Sequence, residues 1–518
     1  MRIIDFFDQG ATLYPDNIAF HELTTGEKRS YKQAHAYSHK LASALTQQGF
    51  GKGAKIGILA PNSNVAFECL IGLFRAEAVW LPVNPRNPVE INTDLLHRFD
   101  GDLLMYHSNY ESEAKEIAQN APNIKKIVCI DKDLDGVNLS SWLVSADNHH
   151  EMGDGCDDDI MAIFPTGGTT GKSKGVMMSN KALETMFSNF YAHFNYYDNT
   201  NHLVVAPMTH SAGLMGAMHF ARGGTNTIMA AVDPGEILKV IEQHKITHFF
   251  LPPTVMYMML AHEDVSKYDY SSLQHFIVAA APVSLSKLKE AIKVFGPVMT
   301  EVFGQSEAPA AICAKAPWDY INADGSINED RLKTVGRPCV LNQVAIMDDD
   351  NKPLPMGQAG EICVKGHIVN PGYYKNPEAT QEAQIDGWLH TGDVGVMDKD
   401  GYIQIVDRKK DMIITGGFNV FPNEIEQVLN SQVEVQDCAV IGIPDEKWGE
   451  AVKAIVLCKP GCSINEDALI SIIKQELGSV KAPKSIDFVD DLPRSPAGKV
   501  LKTDIRKKYW NSENRMVN

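Results

Sequence analysis

The chain has 518 residues, too many for one hydrophobic core, so at least two domains are expected. Its 44% hydrophobic and 22% charged content is that of an ordinary soluble globular protein. The net charge of −17 argues against bulk nucleic-acid binding, so a polyanionic ligand must be held by local positive sites.

The nine cysteines are scattered, odd in number and never spaced C-x-x-C. Neither a zinc site nor a disulfide framework is indicated, and reduced, buried thiols in a cytoplasmic protein are the plain expectation. The N-terminal run Met1-Arg-Ile-Ile-Asp-Phe-Phe is broken at Asp5 and again at Asp8, unlike a signal peptide. No apolar run approaches the roughly 20 residues of a membrane span, so no integral membrane segment is expected.

Residues 1–50 read as two amphipathic helices around a short strand pair, with Phe6, Phe7 and Leu13 on a packed face and a turn at Thr24-Thr25-Gly26-Glu27. Lys55–Ala60 predicts a strand, Asn64–Ala76 a helix, and Val79–Val83, Leu103–Tyr106 and Ile127–Ile130 further strands. Such alternation predicts an α/β fold with largely parallel sheets. After residue 175 the rhythm resumes. Strands are expected at His202–Pro207, Thr247–Pro252, Phe276–Ala281 and Val298–Phe303, the last ending at Gly304. Met256, Met258 and Met259 read as core packing on the helix after residue 252. From about residue 335 the chain becomes rich in short strands and turns, a small β unit. Beyond about residue 408 a compact α+β stretch carries strands at Cys438–Gly442 and Ala454–Leu457 and a helix near 465–477. The expected division is a large N-terminal domain, 1–407, and a smaller mobile α+β domain, 408–518, with a hinge near 407–411.

One stretch carries the densest chemistry: Thr166-Gly167-Gly168-Thr169-Thr170-Gly171-Lys172-Ser173-Lys174-Gly175. The apolar lead-in Ile160–Phe164 predicts a strand running into a flexible, donor-rich loop, and Val176–Asn180 predicts a second strand. Glycines let backbone N–H groups curve around an anion; threonine hydroxyls add donors and lysines add charge. Polyphosphate binding needs all three. The Walker A pattern G-x-x-x-x-G-K-[ST] fits its second half at Gly171-Lys172-Ser173, but its first glycine would fall on Thr166, so the register fails by one residue. An ordinary surface loop would not need this density of hydroxyls and lysines.

The loop closely resembles the phosphate loop of the adenylate-forming superfamily, which includes acyl-CoA synthetases, luciferases and peptide-synthetase adenylation domains. Here Ser173 stands for the usual proline and Gly167 for the commonest serine. Further matches follow in order: Pro207-Met208-Thr209-His210, Ala279-Ala280-Ala281-Pro282, Phe303-Gly304-Gln305-Ser306-Glu307, Val335-Gly336-Arg337-Pro338, Trp388–Asp393, Asp407–Asp411, Gly416–Asn419 and Pro493–Lys499. The resemblance spans residues 10–505.

What the resemblance implies has a physical rationale at each position. Thr166, Gly167, Gly168, Thr169, Thr170, Gly171 and Lys174 would bind the ATP phosphates. Ala281, Phe303 and Gly304 would contact the nucleotide, with Phe303 stacking on adenine. Asp393 would accept hydrogen bonds from the ribose hydroxyls, and Arg408 would hold ribose or phosphate oxygens. Ser306 offers a hydroxyl to the α-phosphate, and Glu307 a hard oxygen ligand to Mg²⁺. His210 lies in the segment that lines the acyl pocket. Lys499, in a Pro/Gly-rich segment, would bridge the substrate carboxylate and the α-phosphate. Lys410 would be the pivot about which the C-terminal domain turns, bringing Gly416 and Gly417 to the thiol arm of CoA. The resemblance thus implies ATP, Mg²⁺ and CoA as cosubstrates and cofactor. Its reaction forms an acyl-adenylate and then a thioester. The chain ends soon after Lys499, so no fused carrier domain is expected. A stand-alone enzyme loading a carrier protein, a luciferase-like oxygenase and a silent nucleotide-binding protein remain as alternatives. Met208, Ala212, Leu214 and Met215 supply no acidic partner for an amino acid. With Ala279-Ala280 narrowing the pocket floor, they favour a medium-chain, alicyclic or aromatic acid. A homodimer is the default expectation for the assembly.

Overall fold

The computed structural model describes residues 1–156, 158–166, 173–194, 200–209, 211–279, 281–494 and 500–510. Two α/β sheets build its larger part. In the nine-stranded sheet, Ile18–Glu22, Thr225–Ile228, Asn201–Val204, His248–Leu251, His275–Val278 and Met299–Gln305 lie side by side and parallel. Antiparallel strands close both edges: Lys28–Ser30 on one, Ala308–Lys315 and Arg337–Pro338 on the other. The seven-stranded sheet has a parallel run of Ile160–Pro165, Val79–Pro82, Lys55–Leu59, Leu103–Tyr106 and Lys126–Cys129. Gly175–Ser179 and Gly372–Tyr373 extend it antiparallel. The mixed α/β class expected from strand–helix alternation is thus the observed one.

The strands are short and apolar because both sheet faces are covered. The main core packs residues of both sheets, among them Trp80, Ala162, Val204 and Ile228, around helices such as Asn64–Arg75 and Asn180–His193. Ser30, Ser63 and Ser179 cap their helices by accepting the N–H three residues on, satisfying one otherwise orphaned donor each. A second core fills the opposite face of the nine-stranded sheet.

The strand-rich stretch after residue 335 forms a five-stranded antiparallel sheet of Gln343–Met347, Ala359–Lys365, Gln384–Ile385, Trp388–Met397 and Ile403–Arg408. A last sheet holds Ile413–Thr415, Phe418–Val420, Gly449–Cys458, Val435–Asp445 and Ser485–Val489. It has its own core with the helices Pro422–Asn430 and Glu466–Leu477.

Four expectations are corrected. Leu13 ends its helix facing solvent, 58% exposed, while Phe6 and Phe7 are buried. Met256 and Met259 are in the core, but Met258, on the opposite side of the helix, is 55% exposed. The strand expected to stop at Gly304 runs to Gln305, because it folds back on Ala308–Lys315 as a hairpin with an irregularity between Phe303 and Gln305. Of the nine free cysteines, Cys156 and Cys462 are exposed and Cys458 is half-buried, so burial accounts for only the other six. Among the described residues no helix is long and apolar enough to cross a membrane.

Candidate active site

The strand pair Ile160–Pro165 and Gly175–Ser179 brings the two ends of the donor-rich loop together. Thr166 N–H donates to the Lys174 carbonyl at 2.8 Å, continuing the ladder one step past Pro165 and Gly175. Residues 167–172, including the glycines and threonines expected to cradle phosphate, lie outside the described residues. Arg98 Nη1 donates to the Ser173 carbonyl at 2.5 Å and fixes the exit of the loop.

Lys174 sits 4.9 Å above the Tyr373 ring centroid, a cation–π contact. Tyr373 in turn donates its hydroxyl to Glu307 Oε1 at 2.6 Å. Burial first, and then the Glu307 carboxylate, push the Tyr373 hydroxyl far above its ordinary range, so it remains a donor. Lys174, Tyr373 and Glu307 come from three distant segments and form one charged cluster.

Asn370 pins this arrangement. It is 1% exposed. Its Nδ2 donates to the Ser306 carbonyl at 2.7 Å, and its Oδ1 accepts from Ser179 N–H at 3.2 Å. Its backbone N–H donates to the Glu307 carbonyl at 2.9 Å. The turn that presents Ser306 and Glu307 is therefore tied to the end of the strand that leaves the donor-rich loop. Gln305 Nε2 donates to the Thr391 carbonyl at 3.3 Å and ties the same turn to the strand that carries Asp393. Phe303 is buried in the main core beside it. At Gly304 an added Cβ would lie 2.6 Å from Ala310 Cα and 2.8 Å from Ala310 N, so only glycine fits the hairpin there.

Asp393 and Arg408 face each other across adjacent strands, and Arg408 Nε meets Asp393 Oδ1 at 2.6 Å. The two residues assigned to ribose binding are thus paired with one another. Lys409–Asp411 form a single 3-10 turn at the end of the Ile403–Arg408 strand. Lys409 Nζ reaches Glu361 Oε2 at 3.2 Å. Against the penalty of burial, His390, Lys409 and the Gly392 N–H hold the Glu361 carboxyl below its ordinary range. Desolvation lowers the Lys410 ammonium below the usual lysine range.

Gly416 and Gly417 form the turn between Ile413–Thr415 and Phe418–Val420, with φ of +58° and +81°. A Cβ at Gly416 would meet the Trp448 ring at 2.6 Å, and the Gly416 N–H donates to the Trp448 carbonyl at 2.8 Å. Phe418 and Trp448 are 60% and 42% exposed, an apolar surface beside the glycine turn.

His210, Ala280 and Lys499 lie outside the described residues, while Ala281 is half-buried just beyond the His275–Val278 strand. The residues that sequence reasoning did not single out are Asn370, Tyr373, Glu361 and Trp448. Pro371-Gly372-Tyr373-Tyr374 offered a signal, a turn followed by paired aromatics, but nothing local to it points at Glu307.

Ser306 and Glu307, at the carboxyl end of a parallel strand, where open α/β sheets bind ligands, are thus brought together with Lys174, Tyr373 and Asn370. The AMP-binding enzyme family matches residues 7–374, and the AMP-binding enzyme C-terminal domain matches residues 424–499. The chain belongs to this family, the adenylate-forming superfamily. Within it, the chain groups with acyl-CoA synthetases. It is 39% identical over 367 residues to a medium/long-chain-fatty-acid–CoA ligase of Mycobacterium tuberculosis, a match covering 70% of this chain and 63% of that relative. It is 31% identical over 486 residues to the feruloyl-CoA synthase of an Amycolatopsis species, covering 93% and 94% of the two chains. Among solved structures, an amide bond synthetase from Marinactinospora thermotolerans superposes with a TM-score of 0.88 at 26% identity. That match covers 98% of this chain and all of the other, 100%.

Proposed function

We propose that this chain is an AMP-forming acyl-CoA ligase that activates a medium-chain, alicyclic or aromatic carboxylic acid with ATP and passes the acyl group to CoA. The observation that supports this reading most directly is the Lys174–Tyr373–Glu307 cluster, pinned by Asn370 to the Ser306–Glu307 turn. It places a cation and a hard anionic ligand next to the loop that has the chemistry to hold a triphosphate.

In the proposed first step a substrate carboxylate oxygen attacks the α-phosphorus of ATP, and the bond to the pyrophosphate oxygen breaks. Such in-line transfer needs positioning and charge neutralisation more than covalent help from the protein. Lys174 and the 166–174 loop hold the β- and γ-phosphates. The Ser306 hydroxyl donates to the α-phosphate, and Lys499 bridges that phosphate and the acid. Glu307 fits a magnesium ion: Oε1 takes the Tyr373 hydroxyl, leaving the second carboxylate oxygen for a hard cation. Mg²⁺ bound there would neutralise phosphate charge. Asp393 and Arg408 hold the ribose.

In the second step the CoA thiolate attacks the acyl carbon of the mixed anhydride and AMP leaves. The C-terminal unit, residues 408–518, turns about Lys410, withdraws Lys499 and brings the Gly416–Gly417 turn to the pantetheine arm. The exposed Phe418 and Trp448 beside that turn supply apolar walls for the arm.

The test is pyrophosphate release with ATP and Mg²⁺ over a panel of acids from acetate to long-chain, alicyclic and aromatic, each with and without CoA. The expected result is release with one acid class and an acyl-CoA product. Acid-dependent release without a CoA thioester would redirect the reading to a carrier-protein loader. No release with any acid would reject the enzyme reading. Lys499→Ala is expected to slow adenylation by ~10²–10³, the usual loss when one charge stabiliser is removed.

A further inference from the structure

Parallel strands buried on both faces normally read as continuous apolar runs. In the nine-stranded sheet that rule breaks along one row. Strand register places Asn226, His202, His248 and His275 side by side on adjacent strands. All four are buried. His219, just beyond the helix Ser211–Ala217, closes over the row, its ring 4.8 Å from His202 and 5.1 Å from His248. His248 and His275 follow at 5.0 Å, and His275 Nδ1 lies 2.9 Å from Thr300 Oγ1.

Two members of the row keep polar capacity that no atom of the described residues uses. Both ring nitrogens of His202 lack a hydrogen-bond partner at 0% exposure, and so does Asn226 Oδ1. Buried polar groups are normally satisfied. Burial pushes His202 down to about 3, so its ring is neutral and offers one donor and one acceptor.

The place of the row gives those atoms a role. One layer nearer the strands' carboxyl ends, the same face carries Val204, Phe250 and Ile277, and the chain then reaches Ala279, the residue expected to narrow the floor of the acyl pocket. At a rise of ~3.3 Å per residue, the four steps from His275 to Ala279 span ~13 Å, the reach of a medium chain or a fused-ring acid. Opposite this face run Leu214 and Met215 of the Ser211–Ala217 helix and Met218 just beyond it. Methionine side chains repack easily around a ligand. Gly216 leaves room for Asn226: an added Cβ would lie 2.7 Å from its Oδ1.

Resting on the acyl-CoA ligase reading, we propose that His202 and Asn226 form the far wall of the acyl pocket and select acids with an uncharged oxygen, a ketone or hydroxyl, remote from the carboxylate. The His202 ring donates to that oxygen. Where it is a hydroxyl, Asn226 Oδ1 accepts its hydrogen bond. Phe250 and Ile277 enclose the apolar part of the acid.

The experiment measures kcat/KM for pyrophosphate release with two matched pairs. One pair is decanoic acid and its methyl-ketone analogue with the carbonyl next to the far end. The other is cinnamic acid and its para-hydroxy analogue. The oxygenated member of the productive pair is expected to be favoured ~10–100-fold, the range for a buried group left unpaired by the wrong substrate. His202→Phe is expected to collapse that ratio toward one in either pair, and Asn226→Leu in the hydroxyl pair alone. The ratio is unaffected by the fraction of enzyme that folds, so a poorly folding variant still reports. Equal efficiency within both pairs, or a preference that survives both substitutions, overturns the pocket assignment and leaves the ligase reading standing. Release with neither pair nor with any acid of the panel overturns the ligase reading, and this proposal with it.

Discussion

Asn370 is the place where the site is most easily broken without touching a reacting group. Replacing it by Ala removes two side-chain hydrogen bonds, to Ser179 N–H and to the Ser306 carbonyl. Ser179 is buried, so its N–H is orphaned at about 1–3 kcal/mol. Ser306 is half-buried and its carbonyl regains water, so that loss is nearer ~1 kcal/mol. The sum is about 2–4 kcal/mol of stability. The catalytic effect is separate. On the proposed mechanism, the Ser306–Glu307 turn without its tether shifts relative to the donor-rich loop, and a displacement of ~1 Å in such a site costs on the order of 10²-fold in rate. ATP–pyrophosphate exchange measures the second quantity and urea unfolding the first. Asn370→Asp tests the lost donor more severely. It keeps an acceptor for Ser179 but sets a buried carboxylate oxygen against the Ser306 carbonyl and beside Glu307, so stability and exchange should both fall at least as far as in Asn370→Ala. If both variants exchange pyrophosphate at close to the wild-type rate, the tether has no part in placing the turn.

Three further outcomes are expected. Gly304→Ala forces a methyl into the Ala308–Ala310 backbone, with contacts of 2.6–2.8 Å to Ala310, and should cost about 1–3 kcal/mol together with a loss of adenylation; an unchanged urea midpoint would contradict it. Gly416→Ala puts a side chain at φ +58° and 2.6 Å from the Trp448 ring. Its effect should fall mainly on the thioester step, by ~10-fold, read as single-turnover conversion of preformed acyl-AMP. His202 has a folded-state value near 3, below the ordinary 6.5. The unfolded chain takes up a proton that the folded chain refuses. The stability associated with the neutral ring is therefore complete above pH 6.5 and lost progressively as pH falls toward 3. Between pH 6.5 and 5 this amounts to about 2 kcal/mol. His202→Phe lacks it, so the stability of the variant relative to wild type should improve by that amount on acidification. Parallel pH profiles for the two proteins would refute the assignment.

The periodicity that marks the parallel strands was plain in the sequence because both sheet faces are buried, so apolar runs such as Lys55–Leu59 and Leu103–Tyr106 stand out. The donor-rich loop and the hairpin around it were equally plain, since the ladder from Ile160–Ser179 to Pro165–Gly175 is local. Asn370 was not legible. Its partners Ser179 and Ser306 are 191 and 64 residues away, and an asparagine before Pro371-Gly372 reads as ordinary turn chemistry. The histidine row was hidden for the same reason. Each histidine is an isolated residue at the start of an apolar strand, and only the sheet register brings them together. Met258 and Leu13 were misplaced because a short apolar cluster on a helix does not reveal which of its members lies on the outer side.

On the proposed two-step reaction, the hinge must hold two arrangements of similar free energy, and the contacts around it suit that need. Asp407 accepts from Asn423 N–H at 2.8 Å, at the start of the helix Pro422–Asn430, while Lys409 reaches back to Glu361 on the five-stranded sheet. Turning the C-terminal unit about Lys410 breaks both. Burial pushes the Asp407 carboxyl up to about 6, with Lys502 and the Asn423 N–H only partly offsetting that. Its ionised form is therefore strained in this arrangement and relaxes when rotation admits water. Lys409 has a second carboxylate, Asp349, within 3.0 Å, in the turn of the same hairpin as Glu361. Both contacts are therefore lost together, and the Lys409 ammonium, already half-exposed, passes to water. The clamp is built from one buried carboxylate that gains hydration on release and one half-exposed lysine that water takes over. Both lower the cost of opening, which is what a pivot between two catalytic arrangements requires.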